Sequence, residues 1–469
     1  MFDRFIAYRA GLTPDAIAVR TADRAFSYAA FERDIGRAAT MLRDLSVPPG
    51  EPVAIDIAQD YLSWVIVMAL ARNGIASAPA SDAVSRWRIA EQAPPDKAPE
   101  HLLIIDRDWL ARAGQADPAG PWRDPDPETL GRVMRTSGTT GEAKRIGMDW
   151  ATIGATARNA IFVHGTTRGG WLPLTGHGTI LGFVTTLACW AQGQTALLGA
   201  RMEQGVGALL ALRPDYITLV PEQLGRLLDG LPTDFTPWPM RLLTTGSPLP
   251  PALARRAAAQ LTRDIVSQYG STEAGAMAVA SLPMLIDRPG VAGHVVPDMR
   301  VDILDEEGQA LPVGARGRVR ISGPRVARGY MDDPANSEGL FADGGFLTND
   351  LGRFQADGVL IVEGRCDDLM NIGGQKILPG WVEAAARGCP GVTDCAAFAT
   401  PDAEGLEQCW LAVEAGEGFS GDALRDALGK ALDWTSICWV TVNALPRNAM
   451  GKVARDTLRQ AALAQRGSV

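Results

Sequence analysis

The chain has 469 residues, too many for one ordinary hydrophobic core, so two or three domains are expected. With 46% hydrophobic and 21% charged residues it has the composition of a globular enzyme, and a formal charge of −9 excludes a nucleic-acid surface, which needs a basic face. Six cysteines without a C-x-x-C spacing, and only four histidines, suggest neither a disulfide framework nor a zinc site.

The segment from Met1 to Asp15 lacks the basic start, apolar stretch and cleavage site of a secretory leader, which makes the cytoplasm the default location. "AIAVRTADRAFSYAAFERDIGRAATMLRDL" (16–45) reads as two short strands around a turn, then an amphipathic helix; "EPVAIDIA" and "YLSWVIVMALARNG" read as strand, then helix ending at a glycine. The apolar run Trp64 to Ala71 is too short to span a bilayer. Two Pro-rich stretches, 90–101 and 114–128, are loops, and "YITLV" (216–220) and "RLLTTG" (241–246) continue a strand–helix alternation. The expected fold class is α/β, with a large N-terminal domain of α/β sheets. From about Gly364 the texture changes to a small α+β domain: a helix after Pro379, strands near "VTDCAAFAT" and "CWLAVEA", a helix over "GDALRDALGKAL" and a strand at "CWVTVNAL". The expected domains are 1–364 and 365–469.

"MRTSGTTGEAKRIGM" (134–148) gathers hydroxyls, glycines and a lysine. Gly138 and Gly141 allow backbone N–H groups to turn toward one anion, while Thr136, Ser137, Thr139, Thr140 and Lys144 add donors and charge. The Walker A pattern fails here, because Ala143 and Arg145 stand where its second glycine and its metal-binding hydroxyl should be. Taken alone, the run is either a phosphate cradle or a solvated loop. Four further stretches carry candidate chemistry: "SQYGSTEAG" with Tyr269, Gly270, Thr272 and Glu273; "GGFLTNDLGRF" with Asp350; "EGRCDDLMNIGGQKILP" with Arg365 and Asp367; and "LPRNAMGKVARDTL" with Lys452. Singly these admit bland readings: a helix N-terminal carboxylate, a turn aspartate, a surface ion pair, an exposed lysine.

Together, in this order and spacing, the stretches closely resemble the adenylate-forming superfamily of acyl-CoA synthetases, peptide-synthetase adenylation domains and beetle luciferases, over nearly the whole chain. The resemblance implies that Thr136–Lys144 covers the β- and γ-phosphates of ATP. Tyr269, with Gly270, would stack on adenine, Thr272 would contact the α-phosphate and Glu273 would hold Mg²⁺, a hard cation suited to carboxylate oxygen. Asp350 and Arg365 would take the ribose, and Gly246 and Ser247 would line the adenine and acyl pockets. Lys452 would bind carboxylate and α-phosphate from a small domain that turns about Asp367, after which Gly373 and Gly374 face the pantetheine of coenzyme A. The implied reaction is acyl-adenylate formation followed by transfer to coenzyme A. An acyl carrier protein or an amine as acceptor stays open, and so does a retired, non-catalytic nucleotide binder. The resemblance allows a monomer or a homodimer.

The chain departs from the family pattern at Ala143 and Arg145 in the phosphate loop, at Asn349 before the ribose aspartate, at Arg318 and at Asn371. It is also short between about Ala80 and Glu128, which calls the usual N-terminal architecture into question. Amino-acid-activating members carry an acyl-pocket aspartate for the ammonium, but "WLPLTGHGTILGF" (171–183) holds no carboxylate, and burying an unpaired ammonium costs several kcal/mol. A fatty or aryl acid is therefore the expected substrate, with Gly176, Gly178 and Gly182 leaving room for it. His177 is either an acyl-pocket residue or a turn residue. The tail from Thr441 has five Arg or Lys against one Asp, which suits an anionic acceptor.

Overall fold

The computed structural model describes residues 2, 4–94, 99–136, 144–165, 167–288, 290–372, 375–401, 407–432, 437–447 and 453–466. The chain forms two compact units, one of residues 1–301 and 320–347, the other of 302–319 and 348–469.

The first unit contains two sheets. One has the spatial order His101–Ile104, Trp87–Ala90, Pro52–Asp56, Ala76–Pro79, Leu130–Arg135, Arg145–Asp149, parallel except for the last pair. Two of its strands, Trp87–Ala90 and His101–Ile104, flank the first Pro-rich stretch, so the shortened segment still builds a complete sheet. The helix Asp60–Arg72 is buried along almost all of Trp64 to Ala71, which makes that apolar run a core helix. Arg72 at its end is fully buried, pairs with Glu32 at 2.8 Å and stacks 4.0 Å from the Trp122 ring. Ser27, Asp149 and Thr179 cap the N-termini of the helices Tyr28–Met41, Trp150–His164 and Ile180–Ala191, which sets where each begins.

In the other sheet of this unit the strands Gly170–Pro173, Tyr216–Leu219, Arg241–Thr244 and Asp264–Ser271 run parallel and in register. Leu219, Thr244 and Ser267 stand side by side, so the residues just beyond them share one carboxyl edge, the usual place for a ligand in an α/β sheet. The strand Gly275–Ser281 then turns back antiparallel to Asp264–Ser271.

The second unit carries the strand Leu360–Arg365 and parts of the strands Arg300–Leu304, Gly317–Ser322 and Gly345–Phe354. A hairpin follows, Met370–Ile372 with Gln375–Ile377, and then the sheet Val392–Pro401, Glu407–Ala415, Cys438–Val442. The helices Pro379–Arg387 and Gly421–Leu432 fall where the sequence places them and pack Val382, Ala386, Leu424 and Leu428 against that sheet. All six cysteines are unpaired. Burial pushes the Cys395 and Cys409 thiols up to about 12, so they behave as small core hydrophobes. No described helix is long and apolar enough to cross a membrane.

Candidate active site

The stretch 134–148 is the turn of a hairpin. Leu130–Arg135 and Arg145–Asp149 pair antiparallel with Arg135 opposite Arg145. The neck is closed by Thr136 N–H to the Lys144 carbonyl at 2.9 Å and by Lys144 N–H to Thr136 Oγ1 at 3.1 Å. A Walker loop leads into a helix, whereas this one returns as a strand. Ser137, Gly138, Thr139, Thr140, Gly141 and Ala143 lie outside the described residues. Arg145, which replaces the family's glycine, has a partner the sequence does not reveal. Its guanidinium meets the fully buried Asp82 at 2.8 and 3.0 Å and Asp332 at 3.3 Å. Ser85 Oγ also donates to Asp82, at 2.6 Å.

Tyr269 and Gly270 end one strand, and Thr272, Glu273 and Ala274 form the tight turn before Gly275, which has a positive φ of 67°. Glu273 is thus a hairpin-turn residue, and the helix N-terminal reading does not hold. Gly270 is required for packing, since a Cβ there would meet the Gly275 carbonyl oxygen at 2.6 Å. The turn is fastened by Ala327 N–H to the Glu273 carbonyl at 2.8 Å and by Arg325 to the Ala274 carbonyl at 3.3 Å. Arg325 itself chelates Asp298 at 2.9 and 3.0 Å. The Glu273 side chain is buried, and its Oε1 accepts a hydrogen bond from the Tyr330 hydroxyl at 3.0 Å. Lys144 Nζ lies 4.5 Å from the centre of the Tyr330 ring and 3.3 Å from Asp333 Oδ2. The expected phosphate lysine and metal carboxylate are therefore brought to one tyrosine, the lysine over its ring and the carboxylate at its hydroxyl.

Gly246 and Ser247 follow the strand Arg241–Thr244 at the same carboxyl edge; Gly246 has φ 91° and lies 3.2 Å from Val220 by its virtual Cβ. Beyond Pro173, His177 is held from two sides. Its Nε2 is 2.6 Å from Ser63 Oγ, and Arg132 Nη2 is 3.3 Å from its Nδ1 and 2.5 Å from its carbonyl oxygen. Because a guanidinium can only donate, Nδ1 accepts and Nε2 carries the hydrogen. Burial, then the Arg132 charge, lowers the His177 pKa to about 3. His177 is a neutral wall residue of a small cavity that also touches Trp64, Leu174, Thr186, Asp60 and Arg201. Asp60 comes from a distant helix and is already paired with Arg201 at 3.1 and 3.3 Å, so the cavity offers no unpaired carboxylate to an ammonium. Around Gly176 there is open space, and Gly178 has ordinary room, 3.5 Å from Pro79. At Gly182 a Cβ would meet the Thr175 carbonyl oxygen at 2.0 Å, so this glycine serves close packing of the loop and leaves no room for substrate.

In the second unit Asp350 and Arg365 stand directly opposite on neighbouring strands. Arg365 grips Asp367 with two hydrogen bonds of 2.9 and 3.0 Å, so the ion pair that a bland reading expects does exist. Burial works to raise the Asp367 pKa, but the Arg365 bonds and charge, with a hydrogen bond from Asn349, hold it below the ordinary carboxylate value. Asn349 therefore supports Asp367, and Arg318 donates to the Thr348 carbonyl at 2.7 Å on the strand that carries Asp350. The backbone N–H of Asn371 bonds Glu407 at 2.6 Å. Gly373, Gly374 and Lys452 lie outside the described residues; an Arg447–Val453 bridge flanks the segment that holds Lys452.

Sequence reasoning missed Tyr330, Arg132, Asp82 and Asp60. Each acts on a residue far away in the chain, and no local pattern marks it.

The model of the family described as AMP-binding enzyme matches residues 6–331. The AMB antimetabolite synthetase AmbB of Pseudomonas aeruginosa is 28% identical over 95% of this chain, which spans 38% of that relative's length. The indoleacetate–CoA ligase of Aromatoleum aromaticum is 28% identical over 97% of each chain. ATP-bound MatB from Rhodopseudomonas palustris shares the fold with a TM-score of 0.84 at 23% identity, over 98% of this chain and 99% of that one.

Proposed function

We propose that this chain, which belongs to the AMP-binding enzyme family, activates a fatty or aryl carboxylic acid with ATP and passes the acyl group to the thiol of coenzyme A. The observation that carries the reading is the placement of Lys144 and the buried Glu273 about one tyrosine at the carboxyl edge of the parallel strands. A cation from a loop neck and a buried carboxylate with an oxygen to spare suit a polyphosphate together with a hard cation.

In the first half-reaction a carboxylate oxygen of the acid attacks the α-phosphorus of ATP. The bond to the bridging oxygen breaks and pyrophosphate leaves with that electron pair. Mg²⁺, when bound, would neutralise phosphate charge, and Glu273 is the residue that would hold it. Lys144 would draw the outer phosphates and Lys452 would meet the charge developing between carboxylate and α-phosphate. Thr272 would contact the α-phosphate, while Asp350 and Arg365 would bind the ribose hydroxyls. In the second half the thiol sulfur attacks the acyl carbonyl, the C–O bond to phosphate breaks, AMP leaves and the thiol proton passes to solvent. Positioning and charge neutralisation carry both halves.

The paired Asp60 and the neutral His177 support an acid without an ammonium group. A carrier-protein thiol or an amine as acceptor is the second reading. The basic tail from Thr441 suits either anionic acceptor, and the second reading is favoured by the similarity to the fatty acid–[acyl-carrier-protein] ligase ScoC of Streptomyces coeruleorubidus, 26% identical over 97% of this chain. The experiment is acid-dependent pyrophosphate release across fatty, aryl and amino acids, with and without coenzyme A. Release with aryl or fatty acids and thioester with coenzyme A are expected. Adenylate without thioester moves the acceptor to a carrier or an amine, and no acid-dependent release refutes the enzyme reading.

A further inference from the structure

Tyr330 stands between the phosphate-loop lysine and the buried carboxylate, and the reaction described above gives it no role. It is not free to swing. Its N–H bonds Ser337 Oγ at 2.8 Å, its backbone bridges Ile146, the Met331 N–H bonds the Arg145 carbonyl at 2.9 Å, and Phe341 packs edge-on at 5.2 Å. The phenol is thereby tied to the strand that leaves the phosphate loop, while its hydroxyl reaches the turn that carries Glu273.

We propose that Tyr330 is a positioning residue that couples occupancy of the phosphate loop to the readiness of Glu273 for a divalent cation; the inference rests on reading Glu273 as the metal carboxylate. The hydroxyl takes Oε1 and fixes the plane of the carboxylate, so that Oε2, which among the described residues accepts no hydrogen bond, is the oxygen presented to the cation. The Lys144 ammonium on the ring face draws electron density from the phenol and makes its hydroxyl a stronger donor, which withdraws charge from Glu273. The ion pair that parks Lys144 on Asp333 is about one-third exposed on each side, at 33% and 28%, so solvent screens it and Lys144 leaves it at little cost. When a polyphosphate draws Lys144 away, the hydroxyl weakens as a donor and the carboxylate regains charge. Polyphosphate and cation then bind as one event.

The test is calorimetric binding of α,β-methylene-ATP, which cannot be cleaved at the α-phosphate, over a Mg²⁺ titration. Wild type, Tyr330→Phe, Glu273→Gln and the double variant are compared. Tyr330→Phe keeps the ring under Lys144 and removes only the hydroxyl. Because losing the fixed carboxylate plane outweighs the charge that Glu273 regains, it should need about 10- to 100-fold more Mg²⁺ for half-maximal binding, bind the analogue unchanged in EDTA, and add no loss in the Glu273→Gln background. As a second variant, Asp333→Asn should tighten analogue binding by up to about fivefold, because Lys144 is no longer parked. A normal Mg²⁺ midpoint in Tyr330→Phe beside a shifted one in Glu273→Gln overturns the coupling alone. A normal midpoint in Glu273→Gln overturns the reading of that carboxylate, and the coupling with it. Loss of affinity in EDTA, or weaker binding in Asp333→Asn, also overturns the coupling, since it marks Tyr330 and Asp333 as supports of the loop itself.

Discussion

Two arginine–aspartate clamps have similar contact distances and opposite surroundings. At the neck of the 134–148 hairpin Arg145 holds Asp82 with contacts of 2.8 and 3.0 Å, the two side chains being 13% and 0% exposed. In the second unit Arg365 holds Asp367 at 2.9 and 3.0 Å, with the side chains 34% and 41% exposed. Distances alone would call them equal, but the dielectric around them does not. The first clamp has taken its charges out of water, so removing one partner strands the other. The second can exchange its partner for solvent at little cost, which would suit the proposed turning of the second unit about Asp367.

The largest expected effect tests the buried clamp. Asp82→Ala should destabilise the protein by about 3–5 kcal/mol in denaturant unfolding, because Arg145 keeps a buried charge without its main counter-ion. A loss below about 1 kcal/mol would erase the distinction between the clamps. Next is Lys452→Ala, since a clamp that breaks cheaply matters only if the unit beyond it moves. Adenylation should fall on the order of 10²–10³-fold, while supplied acyl-AMP and coenzyme A still give thioester at close to the normal rate. Equal loss in both halves would mean that the second unit does not alternate.

A third test extends the burial argument to histidine. Burial, then Arg241, lowers the His164 pKa from 6.5 to about 3. The unfolded chain therefore binds the proton first, and stability falls as pH drops below about 6.5. By linkage the loss at pH 5 is about 2 kcal/mol from this residue, so His164→Gln should lose about that much less than wild type between pH 7.5 and pH 5. An identical pH dependence would show that His164 is protonated in the fold. The smallest effect belongs to the exposed clamp: Asp367→Ala should cost less than about 1 kcal/mol. Asp367→Pro, by contrast, should spare adenylation and slow thioester formation by restricting φ at the turning point.

Local elements were legible because periodicity and caps are local. The helix Gly421–Leu432 falls on the sequence segment that predicts it, and the strands Tyr216–Leu219 and Arg241–Thr244 lie within theirs. Candidate site residues could be named from the sequence because their motifs are short. The supports could not. Asp82 lies 63 residues before Arg145, and Tyr330 lies 57 residues after Glu273. Neither has a spacing that a periodic pattern can reveal. Arg145 looked like a defect in the phosphate loop, and only its buried counter-ion shows why the position tolerates a charge. The strands Trp87–Ala90 and His101–Ile104 were hidden because each has only four residues, too few to display an alternation beside a Pro-rich stretch.

The neck of the phosphate loop has an evolutionary consequence. One main-chain bond and one bond to the Thr136 hydroxyl join Thr136 and Lys144, and an anchor reached from Asp82 adds to them at the neck of the hairpin. Thr136 and Lys144, two of the residues read as phosphate contacts, are also the ones that close the hairpin, so a substitution at either reaches folding and nucleotide contact together. Inherited change at these two positions is thereby constrained twice over.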